Sequence, residues 1–137
     1  MDAIINCVML IDDHRPTNVL HKMIIENTGL VKQVLIFESG VDALSYLQNT
    51  LLDNKPIPDL IFLDINMPEM DGWEFLEAYK ATDSEFKTKT LLLMLSTSTH
   101  PDDLKKAKKE NIVTDYIYKP LTEEFMINVA EEYFLPT

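Results

Sequence analysis

Basic residues are scarce in this sequence: 12 lysines and arginines stand against 23 acids, a formal net charge of −11. That balance argues against a chain that binds nucleic acid by itself, because neutralising phosphates requires a basic face. Cysteine occurs once, at Cys7, so no internal disulfide can form. Its apolar surroundings suit a buried, inert thiol in a reducing cytoplasm. Only three glycines are present, and none forms a loop that could cradle a nucleotide's phosphates. No apolar run approaches the roughly 18 residues of a membrane span. The start, Met1-Asp2-Ala3-Ile4-Ile5-Asn6, lacks the basic region of a secretory signal. The expectation is a soluble, unprocessed protein that makes no contact with membrane.

What is present is apolar: 46% of the 137 residues are hydrophobic. That is enough for one well-buried core and too little for two. One domain is expected over residues 1–137, with its core at about 6–135.

The stretch from Pro58 to Gly72 organises the chain. Leu60-Ile61-Phe62-Leu63 is continuously apolar, as in a strand covered on both faces of a parallel sheet, and Asp64 follows at its end. Open α/β sheets bind ligands in the crevice outside the carboxyl ends of their strands, so Asp64 is the leading candidate for chemistry.

Other segments repeat the plan. Cys7 to Ile11 reads as a first strand ending in Asp12-Asp13. His14 to Thr28 has helical spacing, with Leu20, Met23 and Ile24 as the apolar face and Gly29 as the stop. Val31 to Phe37 is a second strand; Ser39 then caps a helix whose face is Ala43, Leu44 and Leu47. Beyond Gly72, Trp73, Leu76 and Tyr79 mark a third helix, and Asp83 to Lys89 is a polar connection. Leu91 to Leu95 is a fourth strand ending in the hydroxyls Ser96-Thr97-Ser98-Thr99. A helix opening at Thr99-His100-Pro101-Asp102 carries Lys105, Lys106, Lys108 and Lys109, with few apolar anchors beyond Leu104 and Ala107. That lysine run is a solvated face. Tyr116-Ile117-Tyr118 is a short last strand before Lys119-Pro120, and Thr122 opens a final helix bearing Phe125, Met126, Val129 and Tyr133. Five strands alternating with five helices predict an α/β fold: a doubly wound parallel sheet with right-handed crossovers, a flavodoxin-like three-layer sandwich.

In that fold Asp12, Asp13, Asp64, Ser96 and Lys119 share one rim. Three carboxylates held together repel one another unless a cation or a proton compensates them. A hard divalent ion suits oxygen-only ligands, and an acid beside such an ion is a known phosphoryl-accepting nucleophile. His14, His21 and His100 show no metal-ligand spacing.

These motifs, in this order, resemble the receiver domain of two-component response regulators, the CheY-like family, and above all its stand-alone members. The resemblance rests on Asp12-Asp13, on Asp64-Ile65-Asn66-Met67-Pro68-Glu69-Met70-Asp71-Gly72, on Ser96, and on Tyr116-Ile117-Tyr118-Lys119-Pro120. It implies that Asp64 is the phosphoacceptor, and that Asp13, Asp64 and the Asn66 carbonyl bind Mg²⁺ or Mn²⁺ directly while Asp12 holds the ion through water. It further implies that Ser96 is the switch hydroxyl, Tyr116 the switch aromatic, Lys119 the phosphate-pairing residue, and Lys119-Pro120 a cis peptide. Catalysis would be confined to the chain's own phosphorylation and dephosphorylation. The implied partners are a sensor histidine kinase or histidine phosphotransfer protein and a separate downstream effector. The implied state is a monomer, with a dimer on phosphorylation as the alternative. One departure is Thr97, where many members carry a small apolar residue. A receiver cut from a larger regulator or hybrid kinase fits the same motifs. A haloacid dehalogenase-like phosphohydrolase fits less well, since it needs an Asp where Asn66 stands.

Overall fold

The computed structural model describes residues 3–82, 89–97 and 100–135, with the side chains of 51–53 left aside. In chain order its elements are β1 (Ile5–Ile11), α1 (Arg15–Asn27), β2 (Val31–Phe37), α2 (Gly40–Asp53), β3 (Leu60–Leu63), α3 (Gly72–Ala81), β4 (Leu91–Ser96), α4 (Pro101–Lys109), β5 (Val113–Tyr118) and α5 (Glu123–Tyr133). The strands form one sheet in the order β2-β1-β3-β4-β5, every neighbouring pair parallel. The doubly wound arrangement expected from the alternation is the one observed.

Because side chains alternate across a strand, each strand feeds two cores. Met9, Ile11, Ile61, Leu63, Leu92 and Met94 pack with Ala43, Leu44 and Leu47 of α2, with Phe75, Leu76 and Tyr79 of α3, and with Ala107 of α4. Val8, Leu10, Leu60, Phe62, Leu93 and Leu95 pack on the other face with Ile25 of α1 and with Met126, Val129 and Ala130 of α5. β3 is buried along its whole length, which is why its sequence shows no polar alternation.

Capping residues place most helix starts where the sequence suggests. Ser39 accepts from the Asp42 amide, Thr122 accepts from the Phe125 amide, and Asp71 forms a reciprocal capping box with Glu74. Gly29, at φ +71°, follows α1 in the left-handed conformation that closes many helices. α4 starts one residue later than expected: His100 caps it by accepting from the Asp102 amide. Thr99 and most of the Asp83–Lys89 connection lie outside the described residues. β5 begins at Val113, three residues before the apolar pattern suggests, and Tyr133 is 37% exposed rather than a core anchor of α5.

One expectation is overturned. α1 does not bury Leu20 and Met23, which are 47% and 55% exposed; it buries Asn18, His21 and Ile25. Residues two apart lie about 200° around a helix, so Asn18 faces in where Leu20 faces out, and of the apolar face hydropathy selects only Ile24 packs, partly buried, against the core. The reason lies in what α1 covers, the polar end of the sheet.

Candidate functional site

Parallel register brings the strand ends level, with Ile11 opposite Leu63 and Leu63 opposite Met94. The residues just beyond, Asp12 and Asp64, therefore emerge side by side. Both lie on the parity of Leu10 and Phe62, toward α1 and α5, and Lys119 follows Ile117 on that side. Ser96 follows Met94 on the opposite parity and shares the α4 side with Tyr116.

Lys119 Nζ lies 2.5 Å from Asp12 Oδ2 and 3.2 Å from Asp64 Oδ1. Asp12 Oδ1 also accepts the His14 amide at 2.9 Å. One oxygen from each of Asp12, Asp13 and Asp64 lies within 4.8 Å of the others. Asp12 and Asp64 are buried, while Asp13 is exposed and opens the cluster to solvent. Burial, then the negative charge of Asp12, pushes the Asp64 carboxyl up from its ordinary 3.8 to about 6; Lys119 offsets part of this. Burial works against the charged form of Lys119, but its hydrogen bond to Asp12 and the nearby Asp64 charge leave its pKa raised, so it stays an ammonium.

The backbone around Asp64 is tightly specified. Its amide donates to the Ile11 carbonyl at 2.9 Å. The loop then turns back, with Glu69 at φ +66° and the Gly72 amide donating to the Ile65 carbonyl at 2.7 Å. A Cβ on Gly72 would sit 2.6 Å from the Asp64 carbonyl oxygen and 2.8 Å from Ile65 Cα. Only glycine lets α3 start this close to the Asp64 backbone. Asn66 is exposed on the same loop.

Ser96 is fully buried at the end of β4, and its carbonyl accepts the Lys119 amide at 2.9 Å. Thr97, the departure noted in the sequence, is exposed; Ser98 and Thr99 lie outside the described residues. The Lys119-Pro120 bond is cis, as the resemblance implies. Tyr116 is half-buried beside the α2–α4 core, with its ring centroid 5.6 Å from that of Tyr118. It stands on the face of β5 turned toward α4, apart from the carboxylate cluster. α4 has Ala107 as its buried residue; it is also held to α3 by Lys106, 4.7 Å from the Trp73 ring centroid, and by the Lys80–Glu110 ion pair at 2.9 Å.

Sequence reasoning missed two polar residues beneath the site. Asn18 is buried, and its Nδ2 donates to the Asp12 carbonyl at 2.7 Å. His21 is buried too, and its Nε2 accepts the Leu121 amide at 3.3 Å. Burial and the Lys119 charge depress the imidazole's pKa against the opposing pull of Asp12, which keeps the ring neutral. The available signal was negative: two polar residues at helical spacing in the helix that follows an acidic strand end.

The open parallel α/β sheet thus carries three carboxylates and a lysine together at its carboxyl edge. The chain belongs to the response regulator receiver domain family, whose model matches residues 8–131, and it is a two-component response regulator. It is 30% identical to the probable methanogenesis regulatory protein FilR2 of Methanothrix harundinacea, over 91% of this chain and 79% of that one. It is 28% identical to response regulator Rcp1 of Synechocystis sp., over 95% of this chain and 89% of the relative. The crystal structure of a two component response regulator from Cytophaga hutchinsonii aligns with a TM-score of 0.86 at 33% identity, covering 94% and 96% of the two chains. The crystal structure of the Mn(2+)-bound form of response regulator Rcp1 shares the fold, at a TM-score of 0.75 and 23% identity over 96% and 99%. No helix among the described residues is long and apolar enough to cross a membrane.

Proposed function

We propose that Asp64 accepts a phosphoryl group from the phosphohistidine of a sensor histidine kinase or histidine phosphotransfer protein. The observation that carries this reading is the Lys119 ammonium set between two buried carboxylates at the end of β1 and β3. An Asp64 oxygen attacks phosphorus, the phosphorus–nitrogen bond breaks, and its electron pair stays on the departing imidazole, which takes up a proton. Asp64 becomes an acyl phosphate. Lys119 then pairs with the phosphoryl oxygens, and the Ser96 hydroxyl donates to the same group. Attack by water on phosphorus reverses the modification. Catalysis is confined to these two events on the chain itself.

The donor set fits Mg²⁺ or Mn²⁺: three carboxylate oxygens close together, one acid exposed for entry, and an Asp64 pKa raised by burial and then by the Asp12 charge. Asp13, Asp64 and the Asn66 carbonyl would hold the ion directly, and Asp12 through water. A bound ion neutralises the acids and the incoming phosphoryl oxygens. The reported Mn(2+)-bound form of Rcp1 supports this assignment by fold analogy.

α1 offers the docking face. Val19, Leu20 and Met23 are exposed beside the site, an apolar strip suited to a helix that carries the donor histidine. The phosphorylated state is read on the α4, β5 and α5 face, where inward movement of Ser96 frees space for the Tyr116 ring and a separate effector protein binds. We read residues 1–137 as one receiver domain with its core at about 6–135, cytoplasmic and monomeric before phosphorylation, with dimerisation on phosphorylation as the alternative state.

The test is labelling with acetyl phosphate, or mimicry with beryllofluoride, with and without Mg²⁺. Wild-type protein should take up one phosphoryl group only when the ion is present. Labelling of Asp64→Asn equal to wild type would remove Asp64 from the role.

A further inference from the structure

The inner face of α1 carries two buried polar side chains, Asn18 and His21, beside the apolar Ile25, and each of the two holds a different loop of the site. Asn18 Nδ2 holds the carbonyl of Asp12, at the turn that carries the acidic pair. His21 Nε2 holds the amide of Leu121, two residues past Lys119. Both side chains are at most 2% exposed, and both line a small void together with Asp12, Asp64, Phe62 and Leu95. Leu121 is itself buried, so its amide has no water to turn to.

We infer that Asn18 and His21 are positioning residues that divide the site between them: Asn18 sets the turn bearing Asp12 and Asp13, and His21 sets the segment bearing Lys119. Neither touches the reacting atoms. The division follows from the two anchors. Lys119 reaches Asp12 and Asp64 through a flexible stem, so its head is placed only as well as the backbone at its root. That root is tied on one side by its own amide to the Ser96 carbonyl and on the other, through Leu121, to His21. The Asp12 carbonyl is fixed from below by a single side-chain amide. An apolar residue at position 18 or 21 would pack against Leu10, Phe62 and Leu95 at least as well, yet would hold neither loop. The imidazole is used here as a neutral acceptor.

This inference rests on the reading of Asp64 and Lys119 as the phosphoryl site, so its first readout is independent of phosphorylation. In metal-free protein, amide exchange at Leu121 should accelerate at least about tenfold in His21→Met, which fills the space without a comparable acceptor, and stay near wild type in His21→Gln, which retains an acceptor oxygen. The second readout is labelling by acetyl phosphate across a Mg²⁺ titration. His21→Met should lower the rate at saturating Mg²⁺ by about five- to tenfold with the half-saturating concentration unchanged, and His21→Gln should recover most of that rate. Asn18→Leu should do the reverse, raising the half-saturating Mg²⁺ concentration about fivefold with a smaller effect on the saturated rate. Rate and Mg²⁺ affinity falling together in both variants would overturn the division of roles. So would a Leu121 amide that exchanges alike in all three proteins, or a His21→Met chain that fails to fold while His21→Gln folds, since His21 would then be a structural residue. If Leu121 behaves as expected but wild-type Asp64 takes no label, the clamp stands and the phosphoacceptor reading fails.

Discussion

Replacing Asp64 by asparagine should stabilise the metal-free protein at pH 7, although it removes a buried ion-pair partner. The carboxyl is raised from 3.8 to about 6 by burial and by Asp12, with the attraction to Lys119 already counted against that rise. Because the folded-state value lies above the unfolded one, the folded protein binds the extra proton between about pH 4 and pH 6. This group's contribution therefore favours the folded state in acid and is lost as pH rises through about 6. At about 1.36 kcal/mol per pH unit, the shifted carboxyl destabilises the folded state, relative to a group whose pKa does not change on folding, by about 3 kcal/mol at pH 7 and about 1 kcal/mol at pH 4.5. An amide of the same shape carries no such cost. For a chain of this size the difference corresponds to a rise in Tm of about 10 °C at pH 7. The assay is thermal and urea unfolding of wild type and Asp64→Asn in EDTA at pH 4.5 and pH 7, then at pH 7 with Mg²⁺. The expected pattern is a large stabilisation at pH 7, a smaller one at pH 4.5, and a gap that narrows when Mg²⁺ supplies wild type with the missing positive charge. An Asn variant no more stable than wild type at pH 7, or stabilised equally at both pH values, would refute the claim that burial and the Asp12 charge hold the Asp64 carboxyl above its ordinary range.

Leu20→Glu and Met23→Glu place charge on the exposed strip of α1 without touching the core; both should slow phosphotransfer from the cognate kinase about tenfold or more, with acetyl phosphate labelling unchanged as the control. Gly72→Ala drives a methyl into the Asp64 carbonyl and the Ile65 backbone, so urea unfolding should show a loss of about 2 kcal/mol or more, and labelling should fall because the backbone beneath Asp64 must shift. Beryllofluoride with Mg²⁺ should change amide exchange coordinately along α4 and β5, with the change absent in Ser96→Ala; unchanged protection in wild type would reject the Ser96–Tyr116 readout. Lys106→Ala removes the contact with Trp73 and should loosen α4 toward the switched state, seen as faster exchange in α4 before any phosphoryl analogue is added.

The order of elements and the membership of the rim were legible in the sequence because both are local properties. A continuous apolar run of three to five residues followed by an acid, a hydroxyl or a lysine names a buried strand and its end, and parallel pairing then has few ways to arrange five such ends. The Ser39 and Thr122 caps were legible for the same reason, since a cap is written within a few residues. What the sequence left open depends on which surfaces meet. α1 carries both Leu20, Met23 and Ile24 and Asn18, His21 and Ile25 at helical spacings, and hydropathy by itself favours the first set. Only the placement of α1 over the Asp12 turn and the Leu121 amide, two backbone groups that need hydrogen-bond partners away from water, reverses the choice. The raised pKa of Asp64 likewise appears in no motif. It comes from burial of the carboxyl beside Asn18 and His21 of α1 and from the nearness of Asp12, with Lys119 offsetting part of the rise, and those are facts of tertiary packing rather than of residue order.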